Sequence, residues 1–210
     1  MKKRLTLCLF AAMLLLLPIP ARASNTSSTF ITAEPYIPDI KIEVVVPASG
    51  DVYINPYWLP LRVGASIENK QIVSNALAIE NLSEVPLSVS VEVTGSIRGD
   101  LRLASESTAG KETTVKRAFM YFEILAVTNP NSVAWSNAYS EDKHVLIRES
   151  TRIKKNIITL GAADQAKRYG AFRISGDCVQ NPREAWTEYD GVDIDVAFTF
   201  TPLPVGTNIP

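Results

Sequence analysis

Apolar and polar residues alternate along most of this chain. From Val192 to Phe200, Val192, Ile194, Val196, Phe198 and Phe200 take one set of alternate positions, and Asp193, Asp195, Ala197 and Thr199 take the other. A period of two puts successive side chains on opposite faces of a strand, so one face meets a core and the other meets water. Val85, Leu87, Val89, Val91 and Val93 repeat the pattern. The same reading predicts strands over Ile40–Val46, Asp51–Ile54, Leu59–Val63, Ile72–Ile79, Leu101–Ala104, Lys116–Val127, Val145–Arg148, Ile157–Leu160 and Tyr169–Ser175, about eleven in all. From Ser24 onward no helical period is sustained, and a helical turn or two is expected only in Asn131–Tyr139 and Ala162–Lys167. Many short strands within one domain's length predict an all-β fold, a single antiparallel β-sandwich or barrel-like domain over residues 40–201.

The first residues break this pattern. Lys2, Lys3 and Arg4 precede an apolar run of 13 residues, Leu5–Leu17, interrupted by Thr6; Pro18 and Pro20 follow, then Ala21-Arg22-Ala23. A basic start, an apolar centre and small residues at the two recognised positions are the parts of a secretory signal, with cleavage expected after Ala23. The run is shorter than the ~20 residues a bilayer span needs, and Cys8 lies inside it instead of after it. The expected product is secreted or extracytoplasmic, with no transmembrane span. It has a Ser/Thr-rich flexible arm at 24–39 and a tail at 202–210 with three prolines.

Cleavage changes the charge and the cysteine count. The chain from Ser24 has 17 basic and 22 acidic residues and one cysteine, Cys178. An acidic balance without a basic stripe argues against nucleic acid as partner; the short cluster Arg152, Lys154 and Lys155 reads as a solvated turn between strands. One thiol excludes an internal disulfide, and 187 residues bury enough surface to need none.

Few residues are equipped for catalysis. His144 is the only histidine, so any Ser-His-Asp or Cys-His mechanism must use it. It reads as capping a strand at the surface. A Cys178–His144 pair would make a cysteine transpeptidase-like cell-wall enzyme, but Ser175-Gly-Asp-Cys178 has the wrong order for that motif. No catalytic residue is assigned. One histidine and one cysteine cannot build a zinc shell. A calcium site would have to come from Asp190, Asp193 and Asp195 beside Glu188 and Gly191; their spacing matches no calcium loop, and they read as solvating a strand's outer face. No metal or cofactor is expected.

All three tryptophans follow an Asn-Pro: Asn55-Pro-Tyr-Trp58, Asn129-Pro-Asn-Ser-Val-Ala-Trp135 and Asn181-Pro-Arg-Glu-Ala-Trp186. Asn-Pro initiates turns, which puts these rings on loops where they can stack on sugar or anchor a partner. Trp135, Tyr139, Trp186 and Tyr189 are the candidate binding residues. If every strand after Lys116 reverses direction, the Trp135 and Trp186 loops fall at opposite ends.

The segment Ala76-Leu-Ala-Ile-Glu-Asn-Leu-Ser-Glu-Val-Pro-Leu-Ser-Val-Ser-Val91 resembles the strand, Asn-x-Ser turn and Pro-led strand of exported immunoglobulin-like sandwiches. More distantly it is similar to matrix-fibre and camelysin-type secreted proteins of Gram-positive bacteria. The chain from Ser24 also resembles a group of uncharacterised exported β-sandwich proteins of anaerobic Gram-positive bacteria, through Asp51-Val-Tyr-Ile-Asn-Pro56 and the region from Gly170 to Pro182. These likenesses imply an immunoglobulin- or jelly-roll-like domain. The camelysin-type label implies a metalloprotease, but the chain has no His-Glu-x-x-His, so that activity is not carried over. The expected function is a non-catalytic surface or matrix module that binds other surface proteins or itself. The alternative is a carbohydrate-binding module that uses the loop tryptophans on cell-envelope glycan.

Overall fold

Alternating strands become sheet where their apolar faces find a cover. The computed structural model describes residues 40–63, 66–68, 70–109, 111, 114–136, 138–180, 185–207 and 209. The expected signal peptide and N-terminal arm lie outside the described residues. Among the described residues there are thirteen strands and no helix. In chain order they are β1 (Val44–Val45), β2 (Val52–Ile54), β3 (Leu61–Val63), β4 (Ser66–Glu68), β5 (Ile72–Ser74), β6 (Leu77–Asn81) and β7 (Leu87–Arg98). Then follow β8 (Arg102–Leu103), β9 (Arg117–Val127), β10 (His144–Leu146), β11 (Ile153–Leu160), β12 (Tyr169–Cys178) and β13 (Gly191–Pro202). The strands pair antiparallel except β8 with β9, which pair parallel.

Two sheets share one core. The larger runs β1-β6-β12-β9-β10, with β8 also on β9, and the smaller runs β11-β7-β13. Val89, Val91 and Val93 of β7 are buried in the same apolar cluster as Ile79, Met120, Phe122, Ile124, Phe172 and Ile174 of the larger sheet. The alternate apolar residues of β13 pack on that cluster, as their pattern predicts. Phe198 lies 6.1 Å from Phe122 and 5.3 Å from Phe172, ring centre to ring centre, so aromatic contact joins the sheets. Each fully buried Phe contributes ~2 kcal/mol by area alone.

β9 departs from the expected alternation, because Ala118 through Ile124 are all buried. Its second face is covered by the chain that follows it: Phe119 and Tyr121 pack with Leu146 and Tyr139 in a cluster of their own. The predicted strand Ile72–Ile79 is interrupted at Asn75-Ala76 and becomes β5 and β6. Only β6 forms a backbone ladder with β12. Alongside β5, side chains replace the ladder. Ser74 Oγ donates to Ile174 O and accepts from Ile174 N, while the Gln71 amide does the same for Cys178. β11 begins earlier than expected, so Lys154 and Lys155 belong to a strand and not to a solvated turn. Lys155 Nζ donates to the carbonyls of Glu141 and His144. The segments expected to hold a helical turn, 131–139 and 162–167, form hydrogen-bonded turns and bends in the residues described.

One edge of the larger sheet is β1, antiparallel to β6 with Val44 opposite Asn81; β2 and β5 form a separate two-stranded sheet with Ile54 opposite Ile72. At the other end of the chain the tail is attached, as Leu203 N–H donates to Pro86 O.

Candidate functional site

The sequence candidates fall in two places. Trp135 is half-buried, and the Arg173 guanidinium lies 4.7 Å from the centre of its ring. Arg173 in turn donates from Nε to Glu123 Oε2 at 3.0 Å and from a terminal nitrogen to Ser136 O at 2.8 Å. Glu123 Oε1 accepts the Ser136 N–H at 2.9 Å. Residues 123 and 173 face each other across the β9–β12 ladder, so the two strands hold the ion pair in register while the loop after β9 closes over it. Tyr139 packs edge-on against Phe119 at 5.2 Å.

His144 completes this group. It opens β10 opposite Glu123 and is buried, not at the surface as its flanking charges suggested. Its Nδ1 accepts the Ser140 N–H at 2.7 Å, which fixes the proton of the neutral ring on Nε2, 3.7 Å from Glu123 Oε1. Burial lowers its pKa below the ordinary 6.5, against the opposing pull of Glu123. Chemically the group is a closed network: both Glu123 oxygens and His144 Nδ1 already have donors.

Trp186 lies elsewhere. It packs on the main core and donates from its indole nitrogen to Val179 O at 3.1 Å. The turn Asn181-Pro182 before it lies outside the described residues. Val179 N–H bonds Arg117 O, six residues along β9 from the Glu123 level, or roughly 20 Å at the rise of a strand. Tyr189 is 72% exposed.

Asp190 is not free to hold a cation. Its carboxylate accepts from Lys116 Nζ at 2.8 Å, from the N–H and hydroxyl of Thr187 and from Asp100 N–H. Burial alone would raise its pKa, but these donors prevail and bring it down to about 2. Asp193 pairs with Arg98 at the surface. Among the described residues no three His, Cys, Asp or Glu side chains converge.

Cys178 and His144 are not brought together. Cys178 pairs with Ala118 and lies in the main core, whereas His144 pairs with Glu123 and lies under the loop after β9. Burial pushes the thiol up to about 12, so at neutral pH it stays protonated and a poor nucleophile.

The first Asn-Pro element exposes three adjacent large apolar residues. Tyr57, Trp58 and Leu59 are 53%, 45% and 56% exposed. They are displayed on a frame: buried Asn55 donates from its side-chain amide to Leu59 O at 2.7 Å and to Lys70 O at 2.9 Å, and accepts Leu59 N–H at 3.0 Å. Inside that frame Trp58 is held at φ +54°, a left-handed conformation disfavoured for a bulky side chain. Ile40, Ile42, Val45, Val46 and Tyr53, in and around β1 and β2, are also exposed. Sequence reading singled out this Asn-Pro-Tyr-Trp motif but chose the later two tryptophans for their shared Ala-Trp and Tyr; a tight loop with three adjacent large apolar residues was the available signal. A cleft of about 570 Å³ separates residues 46–53 from β13.

Compared with known proteins, the chain matches no family model, no curated sequence and no solved structure.

Proposed function

We propose that this chain is an exported, non-catalytic β-sandwich module that associates with further copies of itself along the edge formed by residues 40–59. The observation that supports the reading is the hydrogen-bonded display of Tyr57, Trp58 and Leu59, together with β1, an edge strand among the described residues, where Val45 and the neighbouring Val46 are also exposed. An unpaired edge offers backbone groups to a second strand, and a preordered aromatic loop anchors a contact with little further loss of entropy. The burial of Cys178 and the closed network around His144 favour binding over catalysis. The export signal and the resemblance to exported sandwiches supply the extracytoplasmic setting. Light scattering across a concentration series tests the proposal. The wild-type chain should gain mass with concentration, while Val45→Lys and Trp58→Gly should remain monomeric; a wild-type monomer throughout would defeat it.

A second reading is favoured by the same exposed rings. Tyr57 and Trp58 are open to a sugar face, whereas Trp135 carries Arg173 on its ring and Trp186 packs on the core. Titration with envelope glycan fragments, followed by tryptophan fluorescence in wild type and Trp58→Gly, separates glycan binding from self-association.

A further inference from the structure

On the parallel β8–β9 pair, Arg102 lies directly beside Arg117, and Leu103 beside Ala118. Ala118 is a core residue and Leu103 packs on the core, so the two arginines share the opposite, outward face. Like charges side by side on adjacent strands repel. Among the described residues neither guanidinium has a hydrogen-bond, ion-pair or ring partner. Both border one cleft of about 490 Å³.

The wall of this cleft is built, not loose. Asp177 of β12 accepts three hydrogen bonds at 2.6 Å, from Ser107 Oγ, Thr108 N–H and Thr108 Oγ1. That grip fixes the turn facing the arginines. At the rim Lys111 pairs with Glu106 at 2.8 Å, so among the described residues that line the cleft the two arginines are the cations without an acidic partner. Two guanidiniums that border one cleft without a described ion-pair partner suit a doubly charged oxyanion: forked donors match its oxygens, and its charge relieves their repulsion.

We infer that the Arg102–Arg117 cleft binds a phosphate group, free or carried on a sugar. The site is on the far side of β9 from the 40–59 edge, and it stands whether or not that edge self-associates.

The test is calorimetric titration of the purified chain with inorganic phosphate, glucose 6-phosphate and glucose. Saturable binding of at least one phosphate and none of glucose is expected. Preference for the sugar phosphate identifies a phosphorylated glycan as the source, and equal binding identifies the free ion. Arg102→Gln and Arg117→Gln should each weaken the affinity about tenfold or more. Lys143→Gln, which removes an exposed cation elsewhere, should leave it unchanged. Without phosphate, each arginine variant should melt at or above the wild-type temperature, because repulsion is relieved. Four results would overturn the inference: no saturable binding; equal affinity in both arginine variants; equal weakening by Lys143→Gln; or a lowered melting temperature, which would make the arginines structural.

Discussion

At the scale of single residues, backbone strain marks where the chain gives up stability. Trp58 at φ +54° costs ~1–2 kcal/mol relative to a residue free to be left-handed, and Asn55 offsets that cost through three hydrogen bonds. Trp58→Gly should therefore fold at least as stably as wild type while losing association. Asn55→Ala should lower unfolding stability by about 2 kcal/mol, since it removes three part-buried hydrogen bonds that hold the loop. Urea unfolding of both variants checks the pair. Gly176 is a different case. It has φ +148°, and a Cβ there would meet Phe119 O at 1.9 Å, against rigid backbone inside the sheet. Gly176→Ala should cost about 4 kcal/mol or more. Gly206, also left-handed but with open space around it, should cost about 1 kcal/mol.

At the scale of elements, what was legible in the sequence follows from who covers each strand. β7 and β13 were readable because each has one face on the core and one in water, so burial alternates. β9 lacks that signature. Its outer face is covered by residues more than ten positions downstream, and no local pattern announces such a cover. The Glu123–Arg173–His144 group was hidden for the same reason: its members come together only when β12 and β10 pair on opposite sides of β9. The split between β5 and β6 was missed because Gln71 and Ser74 stand in for backbone partners. Of the candidate site, the tryptophan motifs were legible. Which of them faces water was decided by tertiary contacts.

His144 gives this element a pH signature. In the unfolded chain histidine takes a proton near the ordinary 6.5, but the folded ring takes one only at lower pH because it is buried. Between those values the unfolded state binds more protons, so stability falls as pH falls below 6.5. Melting temperatures from pH 8 to 5 should show this decline. His144→Gln should flatten it, and a slope unchanged in that variant would assign it to other groups.

For the whole molecule, the cysteine among the described residues, Cys178, is buried, so it offers no exposed thiol to join copies covalently. In the proposed self-association copies would meet through surface and strand edges, and residues 40–59 hold most of the exposed large apolar side chains among the described residues. Hydrogen exchange on dilute and concentrated wild-type protein tests this most directly. The account predicts that amide protection rises with concentration in residues 40–46 and 55–59, and not in Trp58→Gly. Protection that does not change with concentration, or that rises instead along β13, would contradict it.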